Sequence, residues 1–335
     1  MRDGKVKISV VIPVYFNEEN LIPLYEDMRD KLFTRTQYEW EIVMINDGSG
    51  DNSYGVMQEL AEKDSRLKIY SLSRNFGSDA AVLCGLAKCT GDCAVVKAAD
   101  LQEPTELVLD MADSWRKGNN VVLAVRKGRD EGKIQTMFSN LYYWLVRRTA
   151  FPQMPKGGFD VYLLDKKVVS VLLQLDESNS AMTGQILWSG FRTGYVYYTR
   201  LQREIGKSRW TLRKKVRLVT DTLFSFSTLP ISVVFGIGTV SSVGALIWAV
   251  YVFVCRLRGE IDVEGWTTLF MFNLFSFGVI MLTLGILGEY LWRTFDASRN
   301  RPPYIEEDDY QRKGQAENSA AMDGGGDQED DTNLQ

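Results

Sequence analysis

The stretch Val95-Val96-Lys97-Ala98-Ala99-Asp100-Leu101-Gln102-Glu103-Pro104 decides how this chain is read. The apolar run at 93–96 has the length and composition of a buried strand. It gives way to a carboxylate and an amide, Asp100 and Gln102. Pro104 and Glu106 then open a helix, since a proline near the first turn loses no needed N–H. Hard oxygen ligands at a strand end, beside a helix start, suit a divalent cation and a phosphate. The plainer alternative is an ordinary strand-to-helix turn with polar caps, because such units often contain an Asp.

The same unit repeats on either side. Residues 8–14 are a continuous apolar run that reads as a first parallel strand. Phe16-Asn17-Glu18-Glu19-Asn20 is a polar turn, with a helix to about residue 33. Further strands are predicted at 40–45, 67–72 and 121–125, and helices at 52–63, 78–88 and 104–117. Alternating strands and helices imply right-handed crossovers and a mostly parallel α/β sheet. Ligands of such sheets sit beyond the carboxyl ends of the strands. Those ends carry Asn17 and Glu18, Asp47, Arg74 and Asn75, Asp100 and Gln102, and Arg126, which together predict one nucleotide- or phosphate-binding cleft. There is no G-x-G-x-x-G after the first strand and no G-x-x-x-x-G-K-[ST], which argues against a typical dinucleotide binder and a P-loop NTPase.

Composition narrows the chemistry. The 335 residues contain no histidine, which excludes Ser-His-Asp triads, Cys-His dyads and His-ligated zinc. Acid–base work is left to Asp, Glu, Lys or Tyr, or the reaction needs little of it. Cys84, Cys89 and Cys93 have a spacing that fits no standard zinc pattern, and with Cys255 they read as small reduced thiols. The net charge of −4 hides a segregation: residues 306–335 hold ten acids and two bases, a local −8, so residues 1–305 carry +4. The acidic tail is expected to be disordered. Residues 1–7 lead directly into the first strand, so no signal peptide is expected and the catalytic body reads as cytosolic.

Pro13-Val14-Tyr15, Asn46-Asp47-Gly48-Ser49, Leu72-Ser73-Arg74-Asn75-Phe76-Gly77 and Ala99-Asp100-Leu101-Gln102-Glu103-Pro104, in that order, resemble the family 2 glycosyltransferases. More closely they resemble the polyprenyl-phosphate type, bactoprenol glucosyltransferases and dolichol-phosphate mannose synthases, over roughly residues 6–300. The resemblance implies a GT-A fold, a nucleotide-diphosphate sugar donor, Mg²⁺ or Mn²⁺, a polyprenyl phosphate acceptor and inversion at the anomeric carbon. It also implies a homo-oligomer, a tetramer. By motif position Asp47 would hold the base or ribose, with Pro13, Tyr15 and Glu18 around it. Asp100 and Gln102 would hold the metal, and Arg126 a phosphate. The family usually has Asp-x-Asp before Leu-Gln, and here the first Asp is Ala98. A divalent ion would then draw its oxygens from Asp100, Gln102, the diphosphate and water, with weaker binding expected. Residues 97 and 99 of an extended strand face away from 98 and 100, so Lys97 is expected to point away from the cleft unless the strand has already turned. Asp160 matches an acidic position below the acceptor site, or is a turn residue. Thr183 stands where many relatives carry Arg.

The C-terminal part reads as membrane-bound. Residues 203–217 hold seven bases against one acid, interleaved with Trp210, Leu212 and Val216. A solvated helix face, nucleic acid or an anionic bilayer would each suit it. The adjoining 34 uncharged residues at 222–255 favour the bilayer. Gly206-Lys207-Ser208-Arg209-Trp210 resembles the family's Gly-x-Ser-Lys/Arg-aromatic motif, by which Arg203, Ser208 and Arg209 would receive the lipid phosphate. Pro230 is expected to part an interfacial helix from a first span, and the 23 uncharged residues at 266–288 make a second. Basic flanks outside the pair and acids in the loop at 256–265 put both termini in the cytoplasm of a multi-pass inner-membrane protein. Gly236, Gly238, Gly285 and Gly288 would permit close helix packing, within the hairpin or between copies. The expected domains are a catalytic domain at 1–205, a basic juxtamembrane segment at 206–229, two transmembrane helices at 230–293 and a cytoplasmic segment with its acidic tail at 294–335. A polysaccharide synthase would have more spans and a Gln-x-x-Arg-Trp motif, neither of which is present. A catalytically dead membrane scaffold or sugar-nucleotide sensor, suggested by Ala98, is the alternative of a different class.

Overall fold

The computed structural model describes residues 5–127, 133–175, 180–201, 212–258 and 265–307. Seven strands form one sheet: β1 (Val6–Val14), β2 (Tyr38–Asn46), β3 (Leu67–Ser71), β4 (Cys93–Val96), β5 (Val121–Arg126), β6 (Val161–Asp165) and β7 (Thr193–Tyr198). Their order is β3-β2-β1-β4-β6-β5-β7. The first four are mutually parallel, β6 is antiparallel to both β4 and β5, and β7 is parallel to β5. The sheet is therefore mixed, through one strand that runs against the rest.

Burial on both faces explains the apolar strands. All four residues of β4 are buried, and they alternate between two cores. Cys93 and Val95 join Ile8, Val10, Leu24, Met57, Met111 and Trp115. Ala94 and Val96 join Val11, Val43, Val82, Leu164 and Ile186. The covering helices are α1 (Glu18–Met28), extended by a π-helical turn over Arg29–Phe33, α2 (Ser53–Lys63), α3 (Ser78–Lys88), α4 (Leu107–Arg116), α5 (Lys133–Thr149), α6 (Lys166–Leu172) and α7 (Met182–Trp188). The helix expected from Pro104 begins instead at Leu107. The Pro104 and Thr105 carbonyls accept turn bonds from Leu107 and Val108, which makes a looser entry. All four cysteines are free.

Three helices follow. Helix α8 (Leu212–Phe226) packs on α5 and α7: Tyr142 and Thr222 share a hydroxyl hydrogen bond of 3.0 Å, and the Phe226 ring lies 5.0 Å from that of Phe151. α9 (Leu229–Leu257) starts one residue before Pro230, where proline is tolerated, and α10 (Trp266–Ser298) returns beside it. Stretches Leu229–Trp248 and Phe272–Ser298, of mean hydropathy 1.9 and 1.8, are long and apolar enough to cross a membrane, and their side chains are not buried within the fold. A Cβ built on Gly236, Gly238, Gly285 or Gly288 meets nothing within 4 Å, so these glycines do not serve packing within the hairpin among the described residues.

The acidic tail begins later than its composition suggests. The Ile305 carbonyl accepts from the Ser73 N–H at 2.9 Å, Glu306 bridges to Leu72 and pairs with Lys88 at 2.9 Å, and Ser71 donates to Glu307 at 3.1 Å. Glu306 and Glu307 thus belong to a strap that returns from α10 to the edge strand β3. Residues 308–335 lie outside the described part.

Candidate active site

Strand direction fixes which groups share an edge. The carboxyl ends of β1, β2, β3, β4, β5 and β7 and the amino end of β6 all lie on one side of the sheet. Pro13, Tyr15, Asp47, Asp100, Gln102, Arg126 and Asp160 therefore share the edge where ligands of α/β sheets sit.

The β1 and β2 ends are tied to one another. Ser49 accepts from the Phe16 N–H at 3.1 Å, Ser53 from the Asn17 N–H at 3.0 Å, and the Glu18 carboxylate from the Asn52 N–H at 3.0 Å. Glu18 thus holds the β2–α2 loop. Asp47, buried, accepts from the Phe76 N–H at 2.7 Å and the Gly77 N–H at 3.0 Å. It therefore organises the loop after β3 whatever else it touches. Gly48 makes that approach feasible: its φ is +61°, and a Cβ there would stand 2.4 Å from the Arg74 carbonyl carbon.

The turn after β4 carries the metal-ligand candidates. Lys97 still bonds through its N–H to the Val11 carbonyl at 3.0 Å, so the ladder outlasts the assigned strand. Lys97 and Ala99 are buried while Ala98 and Asp100 are half-buried, the alternation an extended chain requires. Lys97 points away from the cleft, as expected: its Nζ donates to the Glu103 carbonyl at 2.7 Å. Leu101 sits at φ +58°, a left-handed conformation that a leucine holds only under external constraint. The Asp100 carboxylate accepts from the Gln102 N–H at 3.3 Å.

Opposite this turn stands a residue that the motif reading missed. The Arg200 guanidinium donates to Gln102 Oε1 and lies 4.0 Å from Asp100 Oδ2. One backbone bond and one side-chain bond hold it there: the Leu201 N–H donates to the Gln102 carbonyl at 2.9 Å, and the Gln102 side-chain Nε2 to the Leu201 carbonyl at 3.4 Å. The strand-end rule that selected Arg126 selects Arg200 as well, because Arg200 stands two residues beyond the carboxyl end of β7. Arg126 pairs with Asp160 and reaches the Tyr198 hydroxyl at 3.4 Å. Burial pushes the Tyr198 phenol up, against the pull of Arg126, so it stays neutral. Asp160 is thus a cleft-edge ion-pair partner. Arg203, Ser208 and Arg209 lie outside the described residues.

The donor set for a metal is small. Among the described residues no three Asp, Glu or Cys side chains form a cluster that could hold an ion. One carboxylate, Asp100, and one amide oxygen, Gln102, fit a Mg²⁺ or Mn²⁺ that takes its other ligands from a diphosphate and water.

The model of glycosyl transferase family 2 matches residues 9–164, from within β1 to within β6. An uncharacterised glycosyltransferase of Synechocystis sp. is 33% identical over 304 residues, 90% of this chain and 95% of the relative. The bactoprenol glucosyl transferase of Shigella phage SfV is 32% identical over 308 residues, 92% of this chain and 100% of the relative. In shape, Staphylococcus aureus TarS 1–349, solved with UDP-GlcNAc, gives a TM-score of 0.44 at 18% identity over 66% of this chain and 67% of that one. With relatives above 30% identity matched over nearly their whole length, the chain belongs to glycosyl transferase family 2, with the GT-A-like fold and the glycosyltransferase chemistry of that family.

Proposed function

We propose that this chain is a membrane-bound inverting glycosyltransferase that moves a sugar from a nucleotide-diphosphate donor, a UDP-sugar, to undecaprenyl phosphate at the cytoplasmic face of the inner membrane. The observation that carries the reading is the meeting of Asp100, Gln102 and Arg200 at the sheet edge, with Arg126 at the end of β5, on a chain whose next helices are long and apolar enough for a bilayer. A relative of matching length is named a bactoprenol glucosyl transferase, which supports the lipid acceptor.

In this reading Pro13, Tyr15, Glu18 and Asp47 surround the nucleotide. Asp100 and Gln102 hold Mg²⁺ or Mn²⁺, which when bound supplies charge neutralisation to the diphosphate. The acceptor phosphate meets Arg126, Arg203, Ser208 and Arg209. One of its oxygens attacks the anomeric carbon, and the bond to the diphosphate breaks with its electron pair leaving on the nucleotide. An already ionised phosphate needs no general base, which suits a chain without histidine. The chain's own work is to align two anions and to meet the charge of the leaving diphosphate, a task this reading gives to Arg126, Arg203 and Arg209, with Arg200 beside Asp100 and Gln102 as a further candidate. The domain division at 1–205, 206–229, 230–293 and 294–335, with both termini cytoplasmic, belongs to the same proposal.

A second reading, a nucleotide-sugar-binding relative without turnover, is favoured by Ala98 and by the guanidinium resting on Gln102. One experiment separates the two. Purified protein in detergent is given undecaprenyl phosphate, Mg²⁺ or Mn²⁺ and a panel of UDP- and GDP-sugars, and nucleotide diphosphate and glycosylated lipid are measured. Metal-dependent lipid product from one donor is the expected result. Donor binding without product from any sugar selects the second reading.

A further inference from the structure

The turn between β4 and α4 contains a buried ion pair that the transfer reaction does not use. Lys97 is 1% exposed, yet its four-carbon stem ends in an ammonium, where a leucine or methionine would fill the same space without a charge to desolvate. The ammonium does not make its closest contact with a carboxylate. Nζ donates to the Glu103 backbone carbonyl at 2.7 Å and stands 3.8 Å from Glu103 Oε2, which is buried without a hydrogen-bond partner among the described residues. The bond therefore joins the first residue after β4 to the residue that closes the turn, across the segment that presents Asp100 and Gln102. At its other end Lys97 is fixed to β1 through the Val11 carbonyl. Arg200 and Leu201 hold the same turn from the opposite side. Between these two anchors Leu101 is kept at φ +58°, which places Asp100 and Gln102 side by side.

We infer that Lys97 is a positioning residue for the metal–diphosphate site: its bond to the Glu103 carbonyl sets the turn geometry in which the Asp100 carboxylate and the Gln102 amide oxygen converge on one cation. This rests on the functional reading above. It also accounts for a ligand pair that lacks a second carboxylate at Ala98. With fewer ligands to gather the turn around an ion, the turn must be held in shape beforehand.

The test uses the full-length protein in detergent, with Mn²⁺ and UDP as probes. Binding of Mn²⁺ in the presence of UDP is followed by electron paramagnetic resonance, and the folded state by the thermal midpoint. Two variants are compared with wild type: Lys97→Met, which keeps the volume, and Lys97→Met/Glu103→Gln, which also removes the carboxylate left without a counter-charge. The second variant decides the question should the first fail to fold. The expected result is Mn²⁺ affinity weakened on the order of tenfold in the folded variant, the usual effect of losing a group that orients metal ligands. Faster hydrogen exchange at the Leu101 and Gln102 amides and a lowered kcat with unchanged KM for lipid phosphate should accompany it. A folded double variant that binds Mn²⁺ and UDP like wild type would reduce Lys97 to a packing residue and overturn the inference. Wild-type protein that binds neither probe would instead overturn the functional reading, and this inference with it.

Discussion

In the proposed reading Asp100 carries the metal–diphosphate site as its carboxylate, since Ala98 cannot share its work. Asp100→Asn keeps the shape and removes the charge. Lipid glycosylation should fall by at least about 100-fold, the scale of losing one preorganised electrostatic group, with little change in thermal midpoint. Full turnover in that variant would remove Asp100 from the metal assignment. Glu41 carries a different burden at the opposite end of the strands. Its burial would raise the carboxyl pKa, but hydrogen bonds from Lys68, Ser9 and Thr90 outweigh this and bring it down to about 2. A carboxylate held below its unfolded value stabilises the fold fully above the unfolded pKa of about 4.3 and loses that contribution as pH falls toward the folded value. The contribution is roughly 3 kcal/mol at neutral pH, counted at about 1.4 kcal/mol per unit. Glu41→Gln should therefore lower the thermal midpoint at pH 7, and the gap from wild type should close between about pH 4.5 and pH 2. A gap that persists at pH 2 would contradict the ionic origin.

Two connecting elements shape the cleft edge at β2 and β3, the donor side in the proposed reading. The β2–α2 loop passes the loop after β3 so closely that only glycine fits at position 48. Gly48→Ala combines a left-handed backbone with a Cβ driven into the Arg74 main chain, and should destabilise by about 1–3 kcal/mol. Because Asp47 next to it holds the Phe76 and Gly77 amides, UDP affinity should drop in the same variant, read by titration beside a thermal melt. The strap from α10 reaches the same region through Ile305, Glu306 and Glu307 on Leu72, Ser73, Ser71 and Lys88. Truncation after Pro303 should speed amide exchange at Ser73, whose N–H loses the Ile305 carbonyl, and leave exchange at Val95 in the buried β4 unchanged. Equal exchange at Ser73 in both proteins would mean that the strap does not hold that edge.

At the scale of the molecule α8 links the α/β body to the apolar hairpin. Arg293 of α10 reaches Asp221 of α8 at 2.8 Å and Glu289 on its own helix at 2.9 Å, while α8 lies on α5 and α7. The hairpin exposes Phe235, Leu246, Trp248, Leu269, Phe272 and Leu291, an apolar surface that suits lipid. On the proposed topology, Gly265→Cys at the hairpin tip should react with a membrane-impermeant maleimide on intact cells, and Asn300→Cys only after permeabilisation. The parent protein, with its four free cysteines, gives the background. The reverse labelling pattern would invert the proposed topology.

Much of this was legible because local chemistry and chain order suffice for it. Apolar runs ending in Tyr15, Asp47, Asp100 and Arg126 mark parallel strands and their ligand edge, since strand direction alone puts carboxyl ends together. The uncharged stretches mark the hairpin, because a span's length and composition are properties of sequence. The antiparallel insertion of β6 was not legible: an apolar run such as Val161–Asp165 reads the same in either direction, and only its pairing with β4 and β5 sets its sense. Arg200 acquires its place through a side-chain bond to Gln102, 98 residues away, beside one backbone bond from Leu201 to the same residue. Lys97 was expected to point away from the cleft by strand alternation, yet its partner at Glu103 depends on how the turn closes. Glu306 and Glu307 look like tail by charge and become part of the fold only where β3 leaves an open edge to receive them. The sequence by itself determined the family, the strand ends and the apolar hairpin, because these depend on residue type and order. Tertiary structure decided which distant groups meet at those ends, because that depends on sheet order and on backbone bonds between segments far apart in the chain.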